Sequence, residues 1–166
     1  MRQANKWILC AITMLAVSFG CSDADSPNSD VVDPATSDSV TGEIRGTEVS
    51  LANAEFDGEL AIFEGDGWAW SPSLLIFLFL EDDQSPDGLS FVVGTSDGVS
   101  RPIPHVHYRW QDPESNEIAS EVVAGDYEMR LVFGTTEAGE LPGTIEFAVP
   151  DERTRVQGAF RAKIQK

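Results

Sequence analysis

Cysteine is almost missing from this chain. Its 166 residues hold two, Cys10 and Cys21, both within the first 21 positions. No disulfide framework can form beyond them, so a folded remainder must rest on its hydrophobic core. Histidine is equally scarce, with His105 and His107 the only two. Basic residues are few: 11 Lys and Arg stand against 28 Asp and Glu, a formal charge of −17. Phosphate recognition needs clustered Lys and Arg, so nucleic acid is not expected as a partner. Electrostatic adhesion to anionic lipid is disfavoured for the same reason. Long apolar runs are also lacking. The longest, residues 7–19, is interrupted by Thr13 and Ser18 and falls short of the ~20 residues that span a bilayer as a helix. Neither a Gly-rich phosphate loop nor a His-Glu-x-x-His motif occurs.

What is present begins with that short run. Arg2 and Lys6 precede it, and "LAVSFGCS" closes it with small Gly20 directly before Cys21. A basic end, a short apolar stretch and a small-residue exit describe a secretory signal. The segment resembles the end of a bacterial lipoprotein signal peptide. The resemblance implies cleavage before Cys21, acyl chains on that cysteine, and a domain held at a bacterial cell envelope, at the outer membrane facing periplasm or cell surface. Lipidation would also remove a lone thiol from an oxidising compartment, and two or more acyl chains make attachment stable where one is marginal. The expected organisation is a signal peptide over 1–20, a lipidated Cys21 with an acidic tether over 21–40, and a folded domain over 41–166. Beyond Cys21, 28 acidic side chains face nine basic ones, a formal charge of −19. Residues 22–39 contain five Asp, two Pro and no basic or aromatic residue, a composition that cannot bury enough apolar area to order itself.

From Thr41 onward, short apolar or alternating pieces are punctuated by Gly, Pro and Asp. "EVSLANAEF" alternates and then slips near Ala52. "ELAIF", "SLLIFLFL", "LSFVVG", "HVHYRW", "DYEMRLVFG", "GTIEFAV" and "RVQGAFRAKI" follow, several with period two. This predicts an all-β domain, a two-sheet antiparallel β-sandwich of about eight or nine strands, with a barrel as its neighbour. The stretch 113–124 reads either as a helix capped by Asp112 or as a turn and strand. Residues 74–80 are apolar on both faces, which predicts a central strand covered on its second side by a loop or a partner. The ending, with Gly158, Phe160 and Ala162, resembles the Gly-x-Phe-x-Ala strand that closes small bacterial lipoproteins of unassigned function.

Three constellations are candidate sites. His105 and His107, at i and i+2, share one face of a strand with Arg109 and are candidate metal ligands; a carboxylate such as Asp112 would have to complete the set. With Gly98 this patch loosely resembles the first cupin motif, but the second motif has no counterpart. Asp82, Asp83 and Asp87 lie in the acidic turn "EDDQSPDG", oxygen donors of the kind calcium takes. Trp68 and Trp70 in "GDGWAWSPS" are a candidate stacking pair for sugar rings, or core packing. The expectation is a non-catalytic binding or structural module, tethered to the membrane through its lipid, with no cofactor and with a protein or glycan partner left open. A carbohydrate- or calcium-dependent surface module is one alternative. An enzyme using the His105/His107 strand is the other.

Overall fold

The computed structural model describes residues 38–94 and 102–165. Cys21, the signal segment and most of the acidic stretch lie outside them. The described residues form β1 (Val40–Ile44), β2 (Thr47–Leu51), β3 (Asn53–Phe56), β4 (Glu59–Phe63), β5 (Ser73–Phe77), β6 (Ser90–Val93), β7 (His105–Gln111), β8 (Ile118–Val123), β9 (Glu128–Phe133), β10 (Glu140–Val149) and β11 (Thr154–Ile164). A 3₁₀ turn at Pro150–Glu152, followed by Arg153 in the left-handed region, joins the last two strands.

The domain is all-β, but it is not the expected two-sheet sandwich. Its strands make a single curled sheet, a half-barrel, in the order β6-β9-β10-β11-β3-β4-β5-β7-β8, with the β1–β2 hairpin branching from β11. The reason lies in β11. Eleven residues long, it pairs along one edge with β10 and shares its other edge between two partners. Its first half meets β1, with Gly42 opposite Val156 and Val40 opposite Gly158. Its last residues run parallel to β3, with Ala162 opposite Ala54. Hydrogen bonding therefore continues where a sandwich would break into two sheets. The slip at Ala52 is the point where the chain leaves the β1–β2 hairpin and joins β11 as β3.

Two glycines make that junction possible. Gly42 and Gly158 have φ of +149° and +154°. A Cβ on Gly42 would stand 2.1 Å from the Arg155 carbonyl oxygen, and one on Gly158 would stand 2.3 Å from that of Ser39. Backbone takes the place of side chain at this crossing, as only glycine permits.

Alternation of apolar and polar residues then does its usual work. The inner face of the curl encloses one core to which Leu60, Leu74, Tyr108, Leu131, Phe147 and Phe160 contribute from six different strands. Full burial of such side chains contributes roughly 1.5–3 kcal/mol each. Phe160 lies across Gly143 on the neighbouring strand, where a Cβ would stand 2.4 Å from its ring tip. The stretch 113–124 resolves as a turn and a strand. The Asp112 carboxylate accepts the backbone N–H groups of Glu114 and Ser115, and β8 follows.

β5 is central, between β4 and β7. Leu74 and Ile76 enter the main core, while Leu75 faces outward into a second, small cluster with Ala61 and Phe63. The β4–β5 loop covers that cluster through Trp68. This is why the strand is apolar on both sides.

Candidate functional site

The register of β4, β5, β7 and β8 fixes what the outer face presents. Ser73 stands opposite Arg109, Leu75 opposite His107 and Phe77 opposite His105. On the other side of β7, His107 is opposite Val122 and Arg109 opposite Ser120. At one end of this grid the loop folds back. The Arg109 guanidinium lies 4.8 Å from the Trp68 ring centre, and its Nη1 donates to the Trp68 carbonyl at 3.0 Å. Ser73 Oγ donates to the same carbonyl at 2.9 Å. Toward the other end the face is open. The His107 ring lies 4.7 Å from that of Phe77, and the His105 ring meets the edge of Phe79 at 4.9 Å.

The two tryptophans therefore part company. Trp68 is half-buried on the sheet, cation–π paired with Arg109, whereas Trp70, two residues on, is 88% exposed. Val122 and Phe79 are each 54% exposed. Phe79 also holds a φ of +54°, a left-handed conformation that is costly for a bulky residue. A strained backbone that presents an apolar ring to water is a feature core packing does not explain.

The histidines share one face of β7, as their spacing implies, and both are half-buried against phenylalanine rings. Burial, helped by the charge of Arg109 and by His105, lowers the pKa of His107 and favours its neutral form. Among the described residues no group of three or more His, Cys, Asp or Glu gathers as a cation would require. Asp82 and Asp83 are exposed in the turn after β5. Asp87 has another task. Its Oδ1 accepts the Thr136 hydroxyl at 2.6 Å and the Thr136 N–H at 3.0 Å, tying the loop before β6 to the loop after β9. Those bonds hold its pKa below the usual carboxylate range.

Sequence reasoning missed a second constellation. Arg45, in a left-handed turn between β1 and β2, donates to Glu121 on β8, lies 3.6 Å from Glu152 and sits 5.5 Å above the Trp110 ring. The buried Tyr108 donates its hydroxyl to Glu152, and desolvation together with that carboxylate pushes its pKa well up. Partners as far apart in sequence as Arg45 and Glu152 meet here, and no local spacing announces them. The letters Gly-x-Ser-x-Gly also occur, as residues 94–98 directly after β6. Their Ser96 lies outside the described residues. A nucleophile elbow needs a helix after its turn, whereas Pro102 and Pro104 follow within a few residues and lead straight into β7.

No protein-family model matches this chain, and neither a curated protein nor a solved structure is similar to it. The site must be read from its own chemistry.

Proposed function

We propose that this protein is a non-catalytic binding module of a bacterial envelope, anchored through an acylated Cys21, and that the open strip from Trp70 across His107 and Phe77 to Phe79 is its contact face. The observation that carries the reading is the exposure of Trp70 and Phe79 on a strongly acidic domain, Phe79 beside the His105 ring and in a strained conformation. Exposed aromatic anchors mark contact surfaces more often than they mark stability. The histidines support a contact surface, because their ring neighbours are the phenylalanines Phe77 and Phe79. The anchor rests on the sequence pattern around Gly20 and Cys21.

Two measurements test the two halves. Intact-mass analysis of membrane-extracted protein gives a chain beginning at an acylated Cys21, and Cys21→Ser moves the domain to the soluble fraction. Recovery of the full 166-residue chain without acyl mass refutes the anchor. For the face, a glycan partner is the reading that Trp70 favours, since a flat exposed indole stacks on sugar rings. Wild-type protein then co-sediments with purified peptidoglycan sacculi, and Trp70→Ala weakens that at least about tenfold, a loss of ~1.4 kcal/mol. Equal sedimentation of both proteins removes the glycan reading and leaves a protein surface as the partner.

A further inference from the structure

Among the described residues, β8 is the terminal strand of the sheet, paired with β7 on one side only. Where the β7–β8 hairpin begins, Asp112 N–H donates to the Glu117 carbonyl at 2.8 Å and the Asp112 carbonyl accepts Asn116 N–H at 2.8 Å, a bulged pair that puts 112 and 117 in the hydrogen-bonding phase of the ladder. Such pairs alternate along a ladder. Residues 117, 119, 121 and 123 therefore turn their backbone groups toward β7, and Ile118, Ser120 and Val122 turn theirs outward. The same three residues carry their side chains on the outer face, where Ile118 and Val122 are exposed apolar groups. Native edges are usually blunted by proline, charged side chains or a bulge. β8, with sequence "IASEVV" and an unbroken register against β7, carries one such group, the inner-facing Glu121, which Arg45 holds.

The strand is also complementary to itself. A two-fold axis through Ser120 sets Ile118 of one copy opposite Val122 of the other, twice, and Ser120 opposite its counterpart. The residues that would meet are those with outward backbone groups, so about six main-chain hydrogen bonds form without any shift of register. On the inner face the same axis sets Glu121 opposite Ala119, not opposite a second Glu121. Glu121 is held by Arg45, and the axis sets no two carboxylates directly opposite each other. A register slip of one residue would face hydrogen-bonding groups against none, and an axis moved to Ala119 or Glu121 would set Ile118 or Val122 opposite Ser120 and bring acidic side chains opposite one another on the inner face.

We infer that β8 is a homodimer interface, in which two copies of this chain join edge to edge about Ser120 into one continuous sheet. Pairing brings Val122, and behind it the His107–Phe77 strip, of both copies onto one outer face. The inference stands on the register alone and does not depend on the binding-face reading.

Sedimentation velocity of the full chain in non-ionic detergent, across a wide range of micromolar concentrations, reads the outcome. Wild type associates to a dimer as concentration rises, and more tightly with added salt, because each copy carries a formal charge of −17. Ile118→Lys with Val122→Lys sets lysine against lysine twice and weakens the dimer at least about tenfold. Ile118→Glu with Val122→Lys sets Glu against Lys twice and keeps it. Circular dichroism checks that each variant folds. A wild type that is monomeric throughout overturns the inference and leaves the edge to an extended segment of another protein. A dimer indifferent to the Lys–Lys pair also overturns it, as does one that the Glu–Lys pair fails to keep.

Discussion

At the scale of single residues, His107 and Phe79 are the most informative. Folding packs His107 against Phe77 beside Arg109 and lowers its pKa below 6.5. When the folded pKa is depressed, the unfolded chain takes up the proton first as pH falls, so stability is complete above 6.5 and declines below it. The melting temperature should fall slightly between pH 7.5 and 5.8, with the half-buried ring keeping the effect small. His107→Gln should flatten that slope. Glu59, whose pKa burial raises from 4.5, acts with opposite sign and further down the scale. Asp87 and Asp112 act only below 3.8, so this window isolates the histidine. An unchanged slope in His107→Gln would show that its neutral form adds nothing to the fold. Phe79 yields a different expectation. Its left-handed backbone costs about 1–2 kcal/mol, and glycine removes that cost for an entropic penalty of ~0.5–1 kcal/mol. Phe79→Gly should therefore be neutral to about 1 kcal/mol stabilising in chemical denaturation. A clear destabilisation would mean that the ring serves the fold rather than a partner.

At the scale of elements, β11 organises the sheet. Gly158 lies where β1 crosses it, and Gly158→Ala must displace either the Ser39 carbonyl or the strand itself. A loss of roughly 3 kcal/mol or more is expected in denaturant melts, with amide exchange quickening first in β1 and β2; a loss under ~1 kcal/mol would show that the junction yields easily. The Gly-x-Phe-x-Ala ending thereby has a physical basis: Gly158 admits β1, Phe160 fills the core over Gly143, and Ala162 lies where β3 joins. The alternation in "YEMRLVF" was legible because one buried face imposes period two, and Tyr127, Met129, Leu131 and Phe133 are all buried. The doubly apolar β5 was legible because both of its faces are covered. Sheet topology was not. A three-residue parallel ladder between β3 and β11 leaves no local trace, and without it the pieces read as two sheets of a sandwich. β1 escaped notice because "VTGEI" is short and is broken by Gly42, the residue that lets it join. At the candidate site, the shared face of the histidines could be read from their spacing, but the divergence of Trp68 and Trp70 could not, since a loop and not a strand carries them.

At the scale of the whole molecule, charge and curl act against each other. A chain with a formal charge of −17 repels itself when compact, and the β1–β2 hairpin must still close over β7. Arg45 stands at that closure, shared by Glu121 and Glu152 and resting on Trp110. Two carboxylates on one guanidinium leave a negative excess even there, beside a Tyr108 hydroxyl that donates into it. These side chains are about one-third exposed or less, so solvent moderates the pairing. Arg45→Met should cost about 1–2 kcal/mol, since it removes the counter-charge and leaves two acids facing each other. Salt separates the local from the global effect. If long-range repulsion dominates, raising sodium chloride from low to physiological strength increases the melting temperature of the wild type, because screening within ~8 Å reaches the dispersed acids. The increase should be larger in Arg45→Met, where one more uncompensated negative charge is screened. If the Arg45 pairs instead carry the electrostatic stability, salt lowers the melting temperature of the wild type and leaves Arg45→Met nearly indifferent. The two outcomes differ in sign, so one pair of thermal melts decides whether dispersed repulsion or the Arg45 pairs dominate the electrostatics of the closed half-barrel.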